Sequence, residues 1–110
     1  MRVLFVCSRN RLRSPTAEAV FAAYEGLETL SAGTETDAVT PVDAELIEWA
    51  EIIFAMENSH RNKLRQRFSK LVDQKWLVVL RIRDDYDYMQ PELVQLLKVK
   101  VLPHLPSISR

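Results

Sequence analysis

Two short apolar runs without polar alternation, Val3-Leu4-Phe5-Val6 and Ile52-Ile53-Phe54-Ala55-Met56, limit the fold more than any other feature of the chain. A sheet with one wet face needs every second residue polar, so unbroken runs suit parallel strands covered by helices on both sides. The segments between them agree. Ser14 supplies a capping residue with Pro15 at the first helical position, Ala17, Val20, Phe21 and Tyr24 share a helical face, and Gly26 ends that helix. Glu28 to Ala32 reads as a second strand closed by Gly33. Thr40-Pro41 opens a second helix with Val42, Leu46, Trp49 and Ala50 on one face, and Asp43 completes a capping box with Thr40.

Beyond the strand at Ile52 to Met56, Asn58 or Ser59 caps a third helix with Leu64, Phe68 and Leu71 inward. Leu77 to Ile82 forms a fourth strand, Pro91 opens a last helix through Leu93, Leu97 and Val101, and the tail 103–110 is expected to be loose. Strands alternating with helices predict right-handed βαβ units. The expected architecture is a single α/β domain over residues 1–110. Its doubly wound, four-stranded parallel sheet has the order 2-1-3-4, helices on both faces, and a site where the order reverses, between strands 1 and 3.

Composition bounds the partners. With 47% hydrophobic and 27% charged residues the chain has the makeup of one globular domain. Lys+Arg and Asp+Glu both number 15, so no global field draws it to nucleic acid or to an anionic membrane, and any attraction to phosphate is local. The single cysteine excludes an internal disulfide, and no apolar run is long enough to span a bilayer. A reducing cytoplasm is the expected location.

That one cysteine stands at a telling place. Cys7 ends strand 1, five residues follow, and Arg13-Ser14-Pro15 opens helix 1. Successive N–H groups in a strand-to-helix turn converge on one anion, and the helix N-terminus adds unsatisfied donors and partial positive charge. The turn from Ser8 through Arg9, Asn10, Arg11, Leu12 and Arg13 to Ser14 is therefore a candidate phosphate-binding loop. The Arg13 fork suits two phosphate oxygens, and the same positive surroundings favour a Cys7 thiolate. No glycine lies in the turn, so Asn10 is the residue suited to a left-handed backbone. Ser14 can cap the helix or donate its hydroxyl to the Cys7 sulfur. A bare Cys-x5-Arg spacing is common around inert buried cysteines. Here the apolar strand before it and the amphipathic helix after it supply the required context.

The stretch Val3-Leu4-Phe5-Val6-Cys7, five residues, then Arg13-Ser14-Pro15-Thr16-Ala17-Glu18-Ala19-Val20-Phe21, together with Ser31-Ala32-Gly33-Thr34, resembles the low-molecular-weight protein tyrosine phosphatase family. Ile52 to Glu57 is similar to the family's third strand, and Ile82-Arg83-Asp84-Asp85-Tyr86 to its acid loop. The resemblance implies a cofactor-free hydrolase of phosphate monoesters, including phosphotyrosine-containing substrates, working through a phosphocysteine intermediate. It implies Cys7 as nucleophile, Arg13 as phosphate clamp, Asn10 and Ser14 as loop supports, and Asp84 as general acid. Asp84 also follows strand 4 and so falls on the sheet edge that holds Cys7. Asp85 and Asp87 are its rivals, and Tyr86 and Tyr88 are candidates for a substrate wall.

Arg9 stands where the family has a small residue, Arg11 adds a charge, and between Thr34 and strand 3 there is room for only one helix. Two other functions are open at this point: a glutathione-dependent arsenate reductase, since the chain lacks a second cysteine for an internal relay, and a phosphate or phosphopeptide-binding module without turnover. His60, with Arg61, Lys63, Arg65 and Arg67 around it, reads as part of a solvated basic helix face. Trp49, Met56 and Trp76 read as core, and His104 falls in the tail. One cysteine and two scattered histidines give no zinc-binding pattern, and no Gly-rich nucleotide motif occurs.

Overall fold

The computed structural model describes residues 1–106. The elements run β1 (Arg2–Cys7), α1 (Arg13–Ala22), β2 (Glu28–Gly33), α2 (Ala44–Trp49), β3 (Ile52–Ala55), α3 (Asn58–Asp73), β4 (Trp76–Val79) and α4 (Pro91–Val101), with a 3-10 turn at Leu102–His104. All strand pairs are parallel and the order is β2-β1-β3-β4, as expected. Val3, Phe5 and Cys7 of β1 face the side carrying α1 and α4, where Phe21, Leu93, Leu97 and Val101 complete one core. Leu4 and Val6 face the other side, against Ile47 of α2 and Leu64 and Val72 of α3. Both faces of the central strands are thus dry, which is the physical reason their sequences are continuous apolar runs. Phe5 links the first core, stacking at 5.6 Å on Phe21 and 5.5 Å on Phe54.

Several boundaries differ from expectation. The second helix begins at Ala44, not at Thr40-Pro41, because the backbone there is already committed to pairing: the Thr40 carbonyl accepts from Gly33 N–H at 2.9 Å and Val42 N–H donates to the Gly33 carbonyl at 2.8 Å. Asp43 is itself the N-cap, its carboxylate taking Leu46 N–H at 2.9 Å. Helix α1 likewise starts one residue before Ser14, with Leu12 at the cap position, and ends at Ala22, so Ser14 does not cap it and Tyr24 lies outside it. Glu57, not Asn58 or Ser59, caps α3, in a capping box with His60.

Strand β4 stops at Val79. Arg81 then turns at φ 58°, after which Ile82 N–H rejoins the ladder at the Met56 carbonyl, 2.8 Å away. Trp76 is half-exposed because β4 is an edge strand, and Trp49 is only partly buried, whereas Met56 is core. The tail is not loose at its start, since Leu105 packs into the first core; the expectation for residues 107–110 lies outside the described residues. Among the described residues no helix is long and apolar enough to cross a membrane.

Candidate active site

Strand β1 delivers Cys7 to the carboxyl edge of the sheet at the switch between β1 and β3, and α1 begins six residues later at Arg13. What shapes the turn between them is the segment that follows β2. The carbonyls of Cys7, Ser8 and Arg9 accept from the N–H groups of Thr34, Glu35 and Val39 at 2.9, 3.0 and 3.1 Å. In a trans peptide the next N–H points opposite to its carbonyl, so the N–H groups of Ser8, Arg9 and Asn10 turn away from that segment. Among the described residues no N–H from Ser8 to Leu12 donates to a backbone carbonyl. Such a row of free donors ahead of a helix N-terminus is an anion cradle.

Two residues make this path possible. Asn10 takes φ 57°, the left-handed conformation expected of it in a loop without glycine. Gly33 leaves room alongside: a Cβ there would stand 2.5 Å from the Ser8 carbonyl oxygen and 2.6 Å from the Ala38 Cβ.

Behind the loop runs a buried hydrogen-bond chain whose direction is imposed by chemistry. The Glu18 carboxylate only accepts, so Ser31 donates to it and accepts one proton of Asn10 Nδ2 at 2.8 Å. The other Nδ2 proton goes to Ser14 Oγ at 2.9 Å. The Ser14 hydroxyl proton then remains for the Cys7 sulfur, 2.9 Å away, which is nearer than the Ala32 carbonyl at 3.4 Å. A donor aimed at sulfur favours the anionic over the neutral form of a thiol.

Arg13 is 3% exposed and is anchored by one nitrogen, Nη1, to Glu57 Oε1 at 2.6 Å and to the Ile82 carbonyl at 2.7 Å. Its Nε lies 3.7 Å from Asp84 Oδ1. Anchoring through Nη1 leaves Nη2 and Nε for oxygens bound in the cleft.

A cleft of about 290 Å³ opens over these groups, lined by Cys7, Ser8, Arg9, Arg11, Leu12, Arg13, Glu35 and Asp84. Of the three acidic rivals only Asp84 lines it; Asp85 pairs with Arg83 at 2.7 Å. Asn10 and Ser14 sit buried behind the loop as supports. Arg9 extends to Asp37 at 2.9 Å, and the Lys63 hydrogen bond and charge hold the Glu35 carboxyl below its usual range. The two tyrosines expected as a substrate wall do not line the cleft: Tyr86 packs against the first core and Tyr88 is exposed.

The largest departure is His60. It is 1% exposed, not part of a solvated face, and joins Ser8 Oγ through Nε2 at 2.8 Å and Glu57 N–H through Nδ1 at 3.0 Å. Burial, then the Arg13 and Lys63 charges, push its pKa down to about 4 against the opposing pull of Glu57 and Asp84. The sequence signal was the Glu57-x-x-His60 capping-box spacing directly after strand 3, obscured by the basic residues that follow.

Residues 2–51 match the family model described as low molecular weight phosphotyrosine protein phosphatase. Among solved structures the chain is similar to a YwlE mutant from Bacillus subtilis, 27% identical with a TM-score of 0.68, over 89% of this chain and 94% of that one. It is also similar to the YwlE arginine phosphatase carrying a phosphorylated active-site serine, 26% identical with a TM-score of 0.70, over 89% and 91% of the two chains. The low molecular weight protein tyrosine phosphatase SP-PTP from Streptococcus pyogenes shares the fold, with a TM-score of 0.76 at 19% identity over 96% and 93%. No curated protein matches the chain.

Proposed function

We propose that this chain, matched over residues 2–51 by the family model for low molecular weight phosphotyrosine protein phosphatases, is a phosphoric monoester hydrolase of that kind and hydrolyses phosphorylated protein side chains through a phosphocysteine intermediate. The observation that carries this reading is the directed chain from Glu18 through Ser31, Asn10 and Ser14, which ends with a proton donor on the sulfur at the floor of an anion cradle.

In the first step the Cys7 thiolate forms an S–P bond as the ester O–P bond breaks, and the leaving oxygen takes the proton of Asp84. Water then attacks phosphorus, giving its proton to the Asp84 carboxylate, and the S–P bond breaks to release phosphate and the thiolate. The loop N–H groups and Arg13 hold the phosphoryl oxygens throughout. The phosphorylated active-site residue of the YwlE relative supports a covalent intermediate at the corresponding step.

Phosphoarginine is a second substrate reading. Two of the similar structures are an arginine phosphatase or its mutant form, and the cleft is lined by the carboxylates of Glu35 and Asp84 rather than by an aromatic wall. Turnover of phosphotyrosine and phosphoarginine peptides separates the two. The mechanism is tested on aryl phosphates: Cys7→Ser abolishes turnover, and Asp84→Asn lowers it about 10²- to 10⁴-fold for poor leaving groups but less for an activated nitrophenyl ester. If Asp84→Asn is silent and Asp85→Asn damaging, the acid is misassigned; if Cys7→Ser keeps full turnover, the nucleophile is.

A further inference from the structure

The first turn of α3 grips the loop at both ends. Glu57 at its cap holds Arg13, and His60, one turn on, holds Ser8, the residue after Cys7. The His60 tautomer follows from its partners. Nδ1 faces the Glu57 backbone N–H at 3.0 Å, so Nδ1 is the acceptor and the neutral ring carries its proton on Nε2. Nε2 therefore donates to Ser8 Oγ at 2.8 Å. The opposite arrangement would set an Nδ1–H against the Glu57 N–H, two donors head-on. The depressed pKa of His60, about 4, agrees with a neutral ring. This polarity also excludes His60 as a base for Ser8, because the nitrogen facing the hydroxyl already bears a proton.

With one lone pair of Oγ engaged by His60, the Ser8 hydroxyl keeps its proton unspent, and among the described residues that hydroxyl has no other hydrogen-bond partner. Ser8 lines the cleft beside Cys7. We propose that His60 is a positioning residue, holding Ser8 so that the Ser8 hydroxyl donates to a phosphoryl oxygen as a side-chain contact additional to the loop N–H groups. The inference rests on the phosphatase reading above. Accepting from Nε2–H makes the Ser8 O–H a better donor, since hydrogen bonds in a chain polarise one another. Its placement ahead of substrate means that no reorganisation is needed when negative charge arrives.

The test is binding of vanadate and of inorganic phosphate, by calorimetry, to wild type, Ser8→Ala, His60→Leu, the double variant and His60→Gln. A hydrogen bond to a charged group corresponds to about 10- to 100-fold in affinity. Ser8→Ala is expected to lose that factor, His60→Leu to lose a similar one, and the double variant to be no worse than the weaker single. His60→Gln, which brings one acceptor and one donor to the same capping-box position, restores most of the affinity. A purely structural role predicts the reverse: losses that multiply in the double variant, or Ser8→Ala binding like wild type, and either result overturns the proposal. If His60→Leu does not fold, Ser8→Ala and His60→Gln decide it, the proposal requiring a loss in the first and not in the second. Wild type that binds neither anion refutes the phosphatase reading itself, whereas tight binding unaffected by Ser8→Ala refutes only the role of His60.

Discussion

Asn10 does two jobs that a pair of substitutions separates. Its backbone sits at φ 57° and its side chain donates to both Ser14 and Ser31. Asn10→Ala loses both hydrogen bonds, at about 1 kcal/mol net each, and adds the left-handed cost of a β-carbon that Asn offsets locally, about 1 kcal/mol more. Asn10→Gly loses the same bonds but meets no left-handed penalty. The expected destabilisation is therefore about 3 kcal/mol for Ala and about 1 kcal/mol less for Gly. Urea unfolding resolves such a gap as a shift in midpoint at unchanged slope, and in a domain of this size the thermal midpoint moves by about 4–8 °C per kcal/mol. Both variants also release Ser14 from its imposed orientation, so both bind and turn over phosphate esters poorly even where they are folded. If Ala is as stable as Gly, the strained backbone is not a determinant of the loop. If either variant keeps wild-type turnover, the directed hydrogen-bond chain is not what activates Cys7.

Two further outcomes are expected. Gly33→Ala places a Cβ 2.5 Å from the Ser8 carbonyl oxygen, an overlap only backbone movement relieves, so it should cost about 1–3 kcal/mol and disproportionately weaken phosphate binding; wild-type values for both in urea titration and calorimetry would show that the loop has slack. The His60 pKa of about 4 lies below its ordinary value of 6.5, so between those values the unfolded chain binds the extra proton and stability falls as pH drops from about 6.5 to about 4. The loss is on the order of 3 kcal/mol and levels off below pH 4. The carboxyls of Glu35 and Glu51, whose pKa values are lowered by Lys63 and by the Arg2 backbone respectively, act only below 4.5. Urea unfolding at pH 7 and pH 5 should therefore show a slope that His60→Gln flattens, and a slope unchanged by that substitution would place its origin elsewhere.

The sheet was legible because burial on both faces leaves a local trace. Residues 3–6 and 52–56 carry no alternation, and the pleat then sorts Val3 and Phe5 to one core and Leu4 and Val6 to the other. The left-handed Asn10 and the contact between Ser14 and Cys7 were legible too, since few residue types in that turn can do what its geometry demands. What escaped was set by partners distant in sequence. Thr40 and Pro41 carry a helix-opening pattern, yet pairing with Gly33 claims their backbone. His60 is followed by a run of basic residues, but its own position on the first turn points into the loop, and a local count of charge cannot distinguish the turn that faces the sheet edge from the face that follows it. Trp76 is apolar on an edge strand, where apolar character does not guarantee burial. Tyr86 follows Asp84 by two residues, but it packs against the first core.

The absence of glycine between Cys7 and Arg13 bears on how rigid that loop is. A glycine at position 10 would adopt φ 57° freely but would bring no side-chain donor, and the proton on Ser14 would then be free to leave the sulfur for the Ala32 carbonyl. With asparagine one residue both sets the turn and orients Ser14 toward the sulfur. The steric need for a missing side chain is met instead on the neighbouring strand, at Gly33, where it admits the Ser8 carbonyl. Three loop carbonyls held by the segment 34–39, Asn10 held from behind, and Ser8 and Arg13 held by α3 leave the cradle few ways to relax when empty. On the phosphatase reading its donors are aimed before an anion arrives, and catalysis by such donors is strongest when no binding energy is spent on turning them.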